Sequence, residues 1–192
     1  MKRIAFGSAS VLLWLAAEVS SAQAVPSCAA GKTGKPASIT AKEAWELASQ
    51  RAHAWQADAI PFDFTTTSLG PLDSEGKSKD WDVKFSSARA NAVNMISVSE
   101  GQMHCYAVKG AGGRVLKFVD QITFESKKLY ETAQKAGGDK VGTGVKIMAG
   151  LEQGTNGRPQ WILNYQNAQG KEVLSVIIDA QTGKVANVFP GK

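Results

Sequence analysis

The chain is poor in the residues that carry most site chemistry. Its 192 residues include two cysteines, Cys28 and Cys105, and two histidines, His53 and His104. That count excludes a paired-cysteine zinc pattern, and there is no HExxH motif and no nucleophile elbow. Lysine and arginine form no block, and the net charge of +5 is scattered, which argues against nucleic-acid binding. No apolar run reaches the length of a membrane-spanning helix. Ala30-Gly-Lys-Thr33 has the ending of a phosphate-binding loop. Pro26 stands where that motif needs its first glycine, and no strand precedes it. Gly112-Gly113 and Gly142-Thr-Gly144 read as linker and turn glycines rather than phosphate cradles.

What is present begins with an export signal. Met1-Lys-Arg3 is positive, Ile4 to Ala17 is a short apolar segment, and Ala22-Gln-Ala24 fits the signal-peptidase rule. Residues 1–24 are therefore a signal peptide, the mature chain starts at Val25, and its place is the periplasm or the extracellular space. Val25-Pro-Ser27 before Cys28 is a poor lipobox because of Pro26, so lipidation is not expected. An exported chain with an even cysteine count usually pairs them. A Cys28–Cys105 disulfide is expected, with two free thiols as the alternative. In the chain-entropy model it would contribute about 4 kcal/mol.

Residues 25–38 read as a mobile lead-in. Thr40-Ala-Lys-Glu43 is a capping box, and Trp45, Ala48, Ala52 and Trp55 recur at helical spacing over about 41–58. Strand patterns follow at Phe62 to Ser68, Trp81 to Phe85, Val93 to Ser99 and Gln102 to Val108, with Glu100-Gly101 as a tight turn. The order then repeats. A second helix should follow Ile122-Thr123 and run to about Ala136, with Leu129, Ala133 and Ala136 on one face and Gly137 as its stop. Val141 to Leu151 corresponds to the Phe62 strand, and Trp161-Ile-Leu-Asn-Tyr165 to Trp81-Asp-Val-Lys-Phe85. An offset of about 80 residues with element order preserved is a duplication signal. The core should include Trp45, Trp55, Trp81, Val83, Phe85, Trp161, Leu163 and Tyr165.

The last part of the chain carries the clearest motif. Trp161-x-x-x-Tyr165 is followed by Val173-Leu-Ser-Val-Ile-Ile-Asp-Ala-Gln-Thr-Gly-Lys-Val185. Asp179 to Gly183 forms a tight reversal, since Asp bonds amides two residues on and Gly tolerates positive φ. This stretch resembles the C-terminal half of a PepSY-type repeat, and the likeness covers residues 122–189. The first half has Ser99-Glu-Gly-Gln102 in place of the Asp-x-x-Thr-Gly turn. The resemblance implies an α+β fold of two tandem units, each a helix packed on a small antiparallel meander. The units would span 39–109 and 121–192, joined by a linker at 110–120. It also implies a non-catalytic module that binds or restrains exported peptidases.

The function expected is an exported, non-enzymatic binding module, possessing no cofactor or metal, whose partner is another exported protein or peptide. Sheet faces not covered by helices should form the interface. Asp82 and Lys84 alternate with core positions on one strand, as do Ile162, Asn164 and Gln166 on another. The alternative is a metal- or thiol-dependent accessory protein using His104 and Cys105. In a strand, His104 points away from both Met103 and Cys105, so these three cannot converge on one ion.

Overall fold

A computed structural model describes residues 26–110, 112–117 and 119–191. The signal peptide and the cleavage point before Val25 lie outside the described residues.

The described chain opens with β1 (Gly31–Lys32), β2 (Ile39–Thr40) and α1 (Ala41–Trp55). It continues through β3 (Ile60–Thr66), β4 (Lys77–Ser78), β5 (Asp80–Ser87), β6 (Ala92–Ser99) and β7 (Gln102–Lys109). Then come α2 (Ser126–Lys135), β8 (Lys146–Gln153), β9 (Pro159–Gln166), β10 (Glu172–Asp179) and β11 (Val185–Pro190). Short 3-10 turns stand at Val119–Gln121 and Gly138–Lys140.

The expectation of two tandem units, each with its own small sheet, is overturned. One nine-stranded antiparallel sheet runs through the molecule in the order β1-β7-β6-β5-β3-β8-β9-β10-β11, with β2 and β4 as a separate ribbon. The join is β3 against β8, where Phe64 faces Leu151 and Thr65 faces Gly150. Thr65 Oγ1 donates to the Ala149 carbonyl at 3.2 Å, and the Ala149 amide donates to Thr66 Oγ1 at 2.9 Å. The physical reason is edge pairing. Kept apart, β3 and β8 would each leave a row of unpaired N–H and C=O groups.

One face of the sheet is covered. α1 lays Ala41, Ala44, Ala48 and Ala52 on β5 and β6, and α2 lays Leu129 and Ala133 towards β10. Alanine at the contact positions lets the helix backbone come close to the sheet. The core face alternates as Trp81, Val83, Phe85 on β5 and Trp161, Leu163, Tyr165 on β9, all essentially unexposed. Trp45 and Trp55, expected in the core, are only half-buried at its margin. Aromatic rings bridge the join: Trp45 stacks on Phe124 with centroids 4.7 Å apart, and Phe64 meets Trp161 at 5.6 Å. Each indole of the buried pair is satisfied, Trp81 by the Ile39 carbonyl and Trp161 by the Thr123 carbonyl.

Local signals set the helix starts. The capping box is formed, Thr40 Oγ1 accepting from the Glu43 amide and Glu43 Oε2 from the Thr40 amide. α1 stops at Trp55 rather than near residue 58, because Gln56 is extended. α2 starts only at Ser126. Ile122 and Thr123 stay outside it, since the Thr123 amide bonds the Ala180 carbonyl. The Ser126 hydroxyl accepts from the Ala41 amide at 3.1 Å and donates to the Gly76 carbonyl, tying the two helix starts together.

Two connecting segments are more structured than expected. The lead-in supplies β1, pairing Gly31 with Met103 and Lys32 with Gln102, and the Cys28–Cys105 disulfide fastens it with Cα atoms 5.5 Å apart. In the 110–120 stretch, Leu116 is buried and its amide donates to Pro61. No described helix is long and apolar enough to cross a membrane.

Candidate binding face

Because both described helices lie on the same side, the opposite side of the sheet is free of helices among the described residues. The period-two alternation sends every second side chain there. On β5 these are Asp82 and Lys84, and on β9 they are Ile162, Asn164 and Gln166, all half-buried.

The register brings the two sets into relation. Asp82 faces Thr65, Thr65 faces Gly150, and Gly150 faces Ile162. The row extends outward to Ser97 and His104 on one side and to Ile177 and Asn187 on the other. At about 4.8 Å per strand, Asp82 and Ile162 stand about 14 Å apart. A second row places Asn164 between Met148 and Ser175, and the Ser175 hydroxyl donates to Asn164 Oδ1 at 2.7 Å. Gln166 lies further along, facing Lys146 and Glu172 near the end of the strands.

Gly150 makes the centre of the face concave. With no side chain there, a depression of about 210 Å³ opens, bordered by Asp63, Thr65, Met148, Glu152, Ile162 and Asn164. The character of the face changes across it. The β3–β5 side is charged: Lys84 pairs with Asp63 at 3.2 Å, both partly exposed, and Asp80 and Asp82 stand beside them. The β9–β11 side carries Ile162, Asn164, Ile177, Asn187 and Phe189. Burial raises the Asp82 carboxyl above its ordinary value. Asp80 and Asp63 push the same way, opposed by a hydrogen bond from Ser97 and by Lys84.

The sulfur and imidazole candidates do not converge. Cys105 is half-buried and joined to Cys28, so it offers no thiol. His104 is exposed on the helix-free face, while Met103 beside it is buried on the other. His53 is exposed on α1, with Nδ1 2.9 Å from the Ser49 carbonyl. Among the described residues, no group of three or more His, Cys, Asp or Glu side chains is placed to hold a metal.

Sequence reasoning missed Ser97, Thr65, Gly150, Ile177 and Asn187. Their signal was strand adjacency, which becomes readable only once β3 is known to lie beside β8.

No protein-family profile matches this chain, and no curated protein matches it. Among solved structures, the 1.85 Å crystal structure of a candidate lipoprotein from Clostridium difficile 630 is similar. Its TM-score is 0.51 at 12% identity, covering 79% of this chain and 92% of that one. A likeness at that identity shows the fold alone.

The disulfide is of the kind that persists outside the reducing cytoplasm, in agreement with export.

Proposed function

We propose that this protein is a periplasmic or secreted, non-catalytic module that binds another exported protein or peptide through the helix-free face of its sheet. The observation that carries the reading is the continuous row from Asp82 through Thr65 and Gly150 to Ile162. It offers one surface with a charged half, an apolar and amide-bearing half, and a shallow depression between them. Mixed polar and apolar composition suits an interface between separately folded proteins. The PepSY-type resemblance of residues 122–189 supports an exported peptidase as the partner class. The alternative accessory-protein reading has lost its thiol to the disulfide.

Capture from the native extracellular fraction by photo-cross-linkers on the helix-free face, followed by mass spectrometry, identifies the partner. Binding is then measured with Lys84→Glu and Ile162→Asp. Both variants should keep the wild-type far-UV spectrum and weaken binding. Wild-type affinity in both would overturn the assignment of the face, and turnover of a substrate by the purified protein would overturn the non-catalytic reading.

A further inference from the structure

β3 and β8 are seven and eight residues long, yet they pair at two positions, and the seam between them opens beyond Phe64 and Leu151. Residues 112–117 lie along the open part. The Leu116 amide donates to the Pro61 carbonyl at 2.9 Å, and the Lys117 amide to Gln153 Oε1 at 2.8 Å. Arg114 Nη1 donates to the Gln153 carbonyl at 3.4 Å. A Cβ at Gly113 would come within 2.9 Å of the Phe62 ring, so the glycine lets this segment close over β3. A cavity of about 440 Å³ remains, lined by Phe62, Asp63, Arg114, Glu152, Gln153 and Gln160. Two of its polar groups are unspent. Gln153 is 6% exposed, and with Oε1 held by Lys117 its Nε2 has no partner among the described residues. Asp63 gives Oδ2 to Lys84, and its Oδ1 is buried with no partner among the described residues. A buried donor and a buried acceptor are each costly until something completes them.

We propose that this cavity binds the C-terminal residue of a peptide, an α-carboxylate with a backbone N–H one carbon away. The Arg114 guanidinium is exposed and has the planar fork that suits a carboxylate, and Gln153 Nε2 supplies a further donor. The N–H of the same terminal residue goes to Asp63 Oδ1. Lys84 offsets the charge of Asp63, and Glu152 already accepts from Gln160 Nε2 at 3.2 Å. The Phe62 ring gives the last side chain an apolar wall, which favours an apolar or aromatic residue there. The cavity is of the size that small ligands occupy. It also has an exit for the rest of a chain, because Asp63 and Glu152 border the depression at Gly150 as well. The residues before the terminal one therefore run onto the helix-free face, which a free amino acid would leave empty. The inference rests on reading that face as the surface for an exported protein or peptide, and it names the part of the partner that is held.

Calorimetric titration of the mature, oxidised protein with N-acetyl-Ala-Ala-Phe as the free acid tests this, beside the C-terminal amide of the same peptide and free phenylalanine. The acid should bind, and the amide should bind about tenfold more weakly, the loss of one charge-assisted contact. Arg114→Gln alters an exposed residue and should weaken the acid by a similar factor with an unchanged far-UV spectrum. Gln153→Glu keeps the acceptor for the Lys117 amide and replaces the donor with a carboxylate oxygen, so it should weaken the acid as well. Lys128→Gln, exposed on α2, removes the same charge and should bind like wild type. Absence of binding at millimolar peptide overturns the proposal. So does equal affinity for acid and amide, or wild-type affinity in Arg114→Gln. Free phenylalanine binding as tightly as the tripeptide also overturns it, by making the cavity an amino-acid site. The titration needs no native partner, so its failure is distinct from failure of the binding face, which is decided by partner capture with Lys84→Glu and Ile162→Asp.

Discussion

The ring of Phe64 on β3 meets the indole of Trp161 on β9 edge-on, with centroids 5.6 Å apart. The two residues come from opposite halves of the chain, and both are fully buried. Phe124 touches each of them, so the aromatic core is continuous across the join. Phe64→Ala and Trp161→Ala should each cost about 3–5 kcal/mol. Urea unfolding followed by tryptophan fluorescence and by far-UV signal should give one coincident transition, because one core serves both halves. Two separated transitions would show that the halves unfold independently.

The disulfide spans 77 residues of sequence. Paired Cys28→Ser and Cys105→Ser changes should lower stability by about 4 kcal/mol in the chain-entropy model. Hydrogen exchange should rise first at Gly31, Lys32 and β7, where the strap is pinned. An unchanged denaturation midpoint would refute this.

Asp82 and Glu43 should make opposite contributions to the pH dependence of stability. Burial holds Asp82 above its unfolded value, so the folded state binds the extra proton. Its ionisation therefore removes stability as pH rises from the ordinary carboxylate range through the raised value. Glu43 is lowered, first by the Thr40 amide. Its contribution is present above the ordinary value and is lost as pH falls through the lowered one. Melting temperatures across the acidic range should show Asp82→Asn flattening the loss on raising pH, and Glu43→Gln flattening the loss on lowering it. Thr40→Ala, which breaks the capping box, should cost about 1 kcal/mol at neutral pH.

Two glycines separate folding from binding. A Cβ at Gly76 would strike the backbone at the start of α2, and its φ is +69°, so Gly76→Ala should be strongly destabilising. A Cβ at Gly150 would meet only Thr65, at 3.7 Å, so Gly150→Ala should leave the melting temperature nearly unchanged. It would fill part of the central depression and weaken partner binding. Calorimetry and a binding titration on the same two variants check both halves of this prediction.

The elements were largely legible in the sequence by itself. Alternation on β5 and β9 identified which side chains face the core, and the capping box marked the start of α1. Turn chemistry located the reversals at Glu100-Gly101 and Asp179–Gly183, where Gly101 and Gly183 take φ of +78° and +69°. These are short-range signals, set by side-chain period and by bonds a few residues long. Cysteine parity pointed to the disulfide, since two cysteines admit one intramolecular pair.

Tertiary structure alone decided which strands are neighbours. Nothing local in Phe64 or Leu151 states that β3 and β8 pair, because that pairing satisfies two edges far apart in sequence. The same long-range competition turned the lead-in into β1. It also merged two expected sheets into one, and so set Asp82 and Ile162 in a single row. Among the described residues, only the completed sheet order shows that one end is strapped by β1 and that the other ends on β11. The reason is physical: a strand's faces are fixed by its own period, but its edges are satisfied only by whatever strand the rest of the chain brings beside them.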